Sequence, residues 1–268
     1  MKNLSCWLAA SLLAFTSHGS LADRIDLPPD QTWSAGIGIG TVAGPDYRGS
    51  ETYRAYVSPV PYLVYRGRFL RSDDEGVRGE FWATDEMELT LSVLATLTPD
   101  SHKNELREGM RPLDSTVELG PALDVNLTGE DLRRGLLLHL PVRAIIAFGR
   151  RSPEHVGWML EPHLMYRTTW LQWDWSLRAG PAFGSGDFHS YYYSVPTEHA
   201  LPERPAYRAR SGYSGLNSQV IVSRRKGSFW YGLFARYNNL QGTKFRDSPL
   251  VETEHNVSGG LAVSWIIF

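Results

Sequence analysis

Cysteine is almost missing from this chain: Cys6 is the only one, and it lies in an apolar run near the start. Beyond that run there is no thiol. Disulfides, zinc-thiolate centres and cysteine nucleophiles are therefore excluded together. Long hydrophobic runs are missing as well, since no later stretch reaches the length of about 18 apolar residues that marks a membrane-spanning helix. A surplus of one charge is the third absence. Lys and Arg number 27 against 29 Asp and Glu, which leaves no basic excess for nucleic acid.

What is present begins with a leader. Lys2 precedes an apolar run over residues 4–15, and Ser20-Leu21-Ala22 forms a small-x-small cleavage site. The reading is a signal peptide over residues 1–22, cut between Ala22 and Asp23, followed by one domain over residues 23–268. Its apolar run, about a dozen residues, is shorter than the roughly 20 that a spanning helix needs.

Aromatics make up 12% of the chain, with nine Trp and thirteen Tyr. They occur together with period-two alternation. Val117, Leu119, Pro121, Leu123, Val125 and Leu127 interleave with Glu118, Gly120, Ala122, Asp124 and Asn126. Residues 136–148 set even-numbered apolar positions against His139 and Arg143, and residues 171–179 set Trp173, Trp175 and Leu177 against Asp174, Ser176 and Arg178. Period two is the signature of a strand, and these runs are about as long as a tilted strand needs to cross a bilayer. Weaker alternation over residues 33–42, 53–65, 68–72, 77–82, 87–97, 158–168, 216–224, 229–238 and 257–268 brings the expectation to about twelve strands.

An even number lets both ends of the chain lie in the periplasm. The connections then sort into short periplasmic turns at residues 66–67, 83–86, 128–134, 169–171 and 224–227, and long outer loops at 44–52, 99–113, 184–212 and 241–254. The expected fold is all-β, a transmembrane antiparallel up-and-down β-barrel. A soluble sandwich or lipocalin-like barrel also alternates, but would turn its apolar face inward. At the C-terminus Val263, Trp265 and Ile267 share the apolar face and Phe268 ends the chain. Together they read as the signal that barrel assembly machinery recognises.

The inward faces carry Glu88, Glu118, Asp124, Arg143, Glu161, His163, Arg167, Asp174, Arg178 and Arg236. Mixed charges of this kind line a pore or pair across it, and in a barrel of intermediate bore they favour a narrow or plugged lumen. No second histidine stands at ligand spacing from His163, so it is read as part of that network. Gly36, Gly38 and Gly40 resemble a fragment of a dinucleotide fingerprint, but no helix signal follows; small inward residues on a strand fit better. Ser185, Asp187, His189 and Ser190 contain the parts of a nucleophile and base, in a Gly-rich loop whose spacing says little of geometry. Tyr191, Tyr192 and Tyr193 extend that loop as an aromatic patch expected at the membrane interface. No cofactor is expected.

Several segments, in order, are similar to the MipA/OmpV family of MltA-interacting outer-membrane proteins: Gly44-Pro45-Asp46-Tyr47-Arg48-Gly49-Ser50, Pro59-Val60-Pro61-Tyr62 with Tyr65-Arg66-Gly67, Glu118-Leu119-Gly120-Pro121, Arg236-Tyr237-Asn238-Asn239-Leu240-Gln241-Gly242, and Asp247-Ser248-Pro249-Leu250-Val251. The resemblance implies an outer-membrane barrel without catalytic residues. For founding members it implies a scaffold linking a lytic transglycosylase to a peptidoglycan synthase. Arg133, Arg134, Arg224, Arg225 and Lys226 are the basic turns that could meet such partners, besides the lipid and lipopolysaccharide of the membrane. The competing expectations are a small-solute channel and an outer-leaflet lipid-modifying enzyme.

Overall fold

The computed structural model describes residues 33–65, 70–73, 76–84, 86–96, 104–128, 134–149 and 153–267. The leader with its Ala22 to Asp23 cleavage site, Arg133 and Phe268 lie outside these residues.

The strands run in chain order as β1 (Trp33–Pro45), β2 (Tyr53–Tyr65), β3 (Leu70–Asp73), β4 (Gly76–Ala83), β5 (Met87–Thr96), β6 (Ser115–Asn126), β7 (Gly135–Phe148), β8 (Glu154–Leu160), β9 (His163–Trp170), β10 (Trp173–Gly184), β11 (Gly212–Lys226), β12 (Phe229–Asn239) and β13 (His255–Ile266). Helix α1 (Gly186–Tyr193) lies in the loop between β10 and β11. Each strand pairs antiparallel with its neighbours in one sheet, and first and last strands pair as well, Gly36 to Ala43 against Ile266 to Gly259. The two ends of the path, β2 and β3, approach one another and complete the barrel.

Thirteen strands occupy twelve places. β8 and β9 follow one another between the same neighbours, β7 and β10, on either side of Glu161 and Pro162. Proline has no N–H for the ladder, so the hydrogen bonding breaks there without changing the topology. The expectation of about twelve strands is met. Residues 171 and 172 form the tight turn between β9 and β10, both with positive φ, 52° for Leu171 and 64° for Gln172. Such a two-residue turn matches the strand twist.

The alternation decides which face is which. In β7 the odd positions, Leu137, His139, Arg143, Ile145 and Ala147, are buried inside, while Val142 and Phe148 stand outside. Outside, Ile37, Ile39, Val57 and Leu261 are 59%, 60%, 70% and 56% exposed. A band of exposed aliphatics with charges buried behind it is the inverse of a water-soluble barrel, and it fits lipid. Aromatics rim the band: Trp82, Trp170, Phe229 and Trp265 at the short-turn end, and Tyr53, Phe148, Phe183 and Tyr237 at the long-loop end. This is a transmembrane β-barrel.

The inward glycines of β1 are steric. A Cβ on Gly36 would lie 2.2 Å from the Trp265 carbonyl oxygen, and one on Gly38 2.2 Å from that of Val263. Neither distance is tolerable, so close approach to β13 explains Gly36 and Gly38 without a nucleotide.

Candidate functional site

Because β6, β7, β10, β11 and β12 each turn a polar residue inward at similar depth, the barrel interior acquires an ionic network. Arg143 sits between two carboxylates: its Nε lies 3.1 Å from Glu118 Oε2, and its terminal nitrogen contacts Glu161. Glu161 also accepts from the Asn217 amide at 2.5 Å, and Thr96 donates to Glu118 at 3.4 Å. Arg178 and Arg236 both donate to the side-chain oxygen of Gln219, which stands on the strand between them. Five of the ten predicted inward residues, Glu118, Arg143, Glu161, Arg178 and Arg236, therefore meet in one cluster. Arg48, from the first outer loop, joins it by donating 2.8 Å to Ser214 and 3.4 Å to Asn217. It was not expected there, because nothing in a loop sequence says that the loop folds inward.

Asp174, Arg167, Asp124 and His163 lie nearer the turns. Asp174 accepts from Thr169 at 2.6 Å, and Arg167 is inward on β9. Asp124 contacts His139, whose ring centroid is 4.8 Å from that of His163. The sequence spacing had left His163 without a histidine neighbour. The register pairs His139 of β7 directly with His163 of β9, 24 positions later, which spacing along the chain could not reveal.

Above this network the described parts of the four long loops close over the long-loop end of the barrel. Tyr47, Leu113, Tyr193, Ala209, Leu240 and Phe245, one or two from each loop, form a buried apolar cluster. Phe245 stacks on Tyr193 with centroids 3.7 Å apart and planes at 4°. Hydrogen bonds tie the loops crosswise: Tyr47 Oη to the Leu250 carbonyl at 2.8 Å, Tyr193 Oη to the Arg48 carbonyl at 3.0 Å, and Ser248 Oγ to the Tyr193 carbonyl at 2.6 Å. Burial raises the Tyr47 phenol pKa, which keeps the hydroxyl a donor. Two arginines staple the loops through carbonyl oxygens. Arg204 donates to Leu106 at 2.7 Å and Glu108 at 3.0 Å, and Arg107 donates to Tyr192 at 2.7 Å. The tyrosine run is accordingly part of the cap; the expectation of an interfacial patch is corrected, because α1 turns Tyr193, 1% exposed, into the cluster.

Two of the catalytic candidates, Ser185 and His189, are employed otherwise. Ser185 is the N-cap of α1, its Oγ accepting from the backbone N–H of Phe188 at 3.3 Å and of Trp158 at 3.0 Å. His189 is fully buried, with Nδ1 2.5 Å from the Arg210 carbonyl oxygen and Nε2 without a hydrogen-bond partner. A nucleophile needs its base within hydrogen-bond reach, and these two side chains are directed to backbone groups instead. At the opposite end Arg134 and Lys226 are exposed, Arg224 lies over the Trp173 ring at 5.7 Å, and Arg225 Nε donates to Gly227 at 3.1 Å. Trp265 and Ile267 face outward at 52% and 55% exposure, with Val263 on the same side.

A twelve-place barrel with lipid-facing aliphatics, an ion-paired interior and a cap built from the segments around Tyr47, Leu240 and Ser248 has a family counterpart. The family model described as MltA-interacting protein MipA matches residues 37–267. The chain belongs to the MipA family. The protein is thus an outer-membrane β-barrel. Within the MipA barrel, the segments whose order marked the resemblance, residues 44–50 and 236–251, meet in the cap through the Tyr47 to Leu250 bond, and Asn256 of β13 secures the first of them, accepting from Gly49 N–H at 2.5 Å and donating to the Ser50 carbonyl at 2.9 Å. Among solved structures the chain is similar to the Pseudomonas putida toluene transporter TodX, with 12% identity, a TM-score of 0.38 and 96% of each chain covered. No curated protein matches it.

Proposed function

We propose that this protein is a non-enzymatic, closed outer-membrane barrel that holds peptidoglycan-remodelling enzymes at its periplasmic end. The observation that carries the reading is the match to a family described as MltA-interacting over nearly the whole barrel, MltA being a lytic transglycosylase. A peptidoglycan synthase is the second partner the resemblance implies. Two features support a scaffold over a conduit: the loops are cross-tied over the outer mouth, and the interior charges are engaged with one another and with neutral side chains. The turns with Arg133 and Arg134, and with Arg224, Arg225 and Lys226, offer basic groups to an acidic partner. In this reading the leader is removed after Ala22 during export, and Val263, Trp265, Ile267 and Phe268 serve insertion by the assembly machinery.

The test is photo-crosslinking in living cells from positions 134 and 225, with mass spectrometry of what is captured. A captured transglycosylase or synthase supports the scaffold. Steady conductance of the purified barrel in a planar bilayer, altered by Arg143→Gln, would instead establish a small-solute channel.

A further inference from the structure

The lumen cluster does not balance its own charge. Four guanidiniums, Arg48, Arg143, Arg178 and Arg236, share two carboxylates, Glu118 and Glu161; the direct ion pairs are both with Arg143, and Arg178 and Arg236 face the same carboxylates only at longer range. The hydrogen bonds that Arg48, Arg178 and Arg236 make among the described residues all go to neutral oxygens, those of Ser214, Asn217 and Gln219. Within this cluster, among the described residues, the guanidiniums therefore outnumber the carboxylates by two. Arginine does not shed its proton, so the local excess cannot be relieved by titration; Arg48, Arg178 and Arg236 are half-buried, and a cation partly withdrawn from water without a carboxylate in direct contact favours an anion beside it.

The geometry at the point of greatest imbalance is specific. Arg178, Gln219 and Arg236 are register partners across β10, β11 and β12, so the two cations stand at one level with a single strand between them. Both bond to the one amide oxygen of Gln219, which is 6% exposed. An amide oxygen carries only a partial charge and cannot neutralise two guanidiniums. An oxyanion can, because its oxygens match the planar fork of arginine and charge-assisted bonds are the stronger kind.

We propose that Arg178 and Arg236, with Gln219 between them and Arg48 above, form an oxyanion site in the barrel interior that takes a phosphate or carboxylate group. The site makes no use of the basic turns, so it stands or falls independently of the scaffold reading.

The test is isothermal titration calorimetry on the purified full-length barrel in detergent, with inorganic phosphate and with acetate as separate probes at constant ionic strength. Saturable binding of one or both at a single site is expected, weakened at least tenfold in Arg178→Gln and in Arg236→Gln. Gln219→Glu is nearly isosteric and places a carboxylate between the two cations. It should remain folded, melt at a higher temperature than wild type, and no longer bind either probe. Absence of saturable binding by both anions in wild type, or undiminished binding in Gln219→Glu, overturns the proposal.

Discussion

Truncating Phe245 should open the cap while leaving the barrel standing. Phe245 is fully buried, stacks on Tyr193 at 3.7 Å and meets the His189 ring in a T-shaped contact at 4.7 Å. Phe245→Ala removes that burial and leaves a cavity. The expected cost is about 4 kcal/mol, of which roughly 1 kcal/mol is the stacked pair. The strands make none of these contacts, so the loss falls on the local opening of the loops and not on the sheet. At about 1.4 kcal/mol per decade the open population rises roughly a thousandfold. Trypsin added to intact cells reads this directly, because Arg107 is 4% exposed and its peptide bond becomes cleavable only when the cap opens. Cleavage after Arg107 should appear in the variant at protease levels that leave wild type intact, with heat-modifiable migration of the barrel unchanged. Equal protection of Arg107 in both proteins would refute the claim that this cluster holds the loops together.

The cap should also weaken in acid. Burial first, and the nearby Arg48 charge after it, lower the His189 pKa, against the bond to the Arg210 carbonyl. A histidine whose folded pKa is depressed binds a proton more readily in the opened state, so the stability it contributes is complete above about pH 6.5 and is lost as pH falls below that value toward the folded pKa. Cleavage after Arg107 should accordingly increase from pH 7.5 to pH 5 in wild type and stay flat in His189→Gln; the same pH response in both would exclude His189 as the cause. Within the membrane, Arg143→Leu leaves Glu118 and Glu161 without their shared cation and should cost about 3–5 kcal/mol in urea unfolding from lipid vesicles. Adding Glu118→Gln should restore part of that loss, and a double variant no better than the single one would show that the pairing is not what stabilises the cluster.

Much of the architecture was legible because a barrel strand obeys a local rule. Where one face meets lipid and the other a polar interior, alternation survives in the sequence, as at residues 117–127 and 136–148, and the strand places could be counted before any coordinates. Boundaries moved where chain geometry outweighed pattern. Leu171 continued the apolar alternation of β10 but forms the turn, since its φ of 52° removes it from the strand. Pro162, through its missing N–H, divides the alternation over residues 158–168 between β8 and β9. The inward charges could be named individually for the same reason as the strands, but their partners could not.

What the sequence by itself determined was therefore the one-dimensional part: period-two faces, the even count of strand places, which charges point inward, and which connections are long. The tertiary structure alone decided which of these meet. Register sets His139 against His163 and places Gln219 between Arg178 and Arg236, and it depends on how every intervening turn closes. The cap is the extreme case, since Tyr47, Tyr193 and Phe245 come from three loops with no periodicity to read, and they meet because strand closure brings residues about 200 positions apart to the same mouth of the barrel.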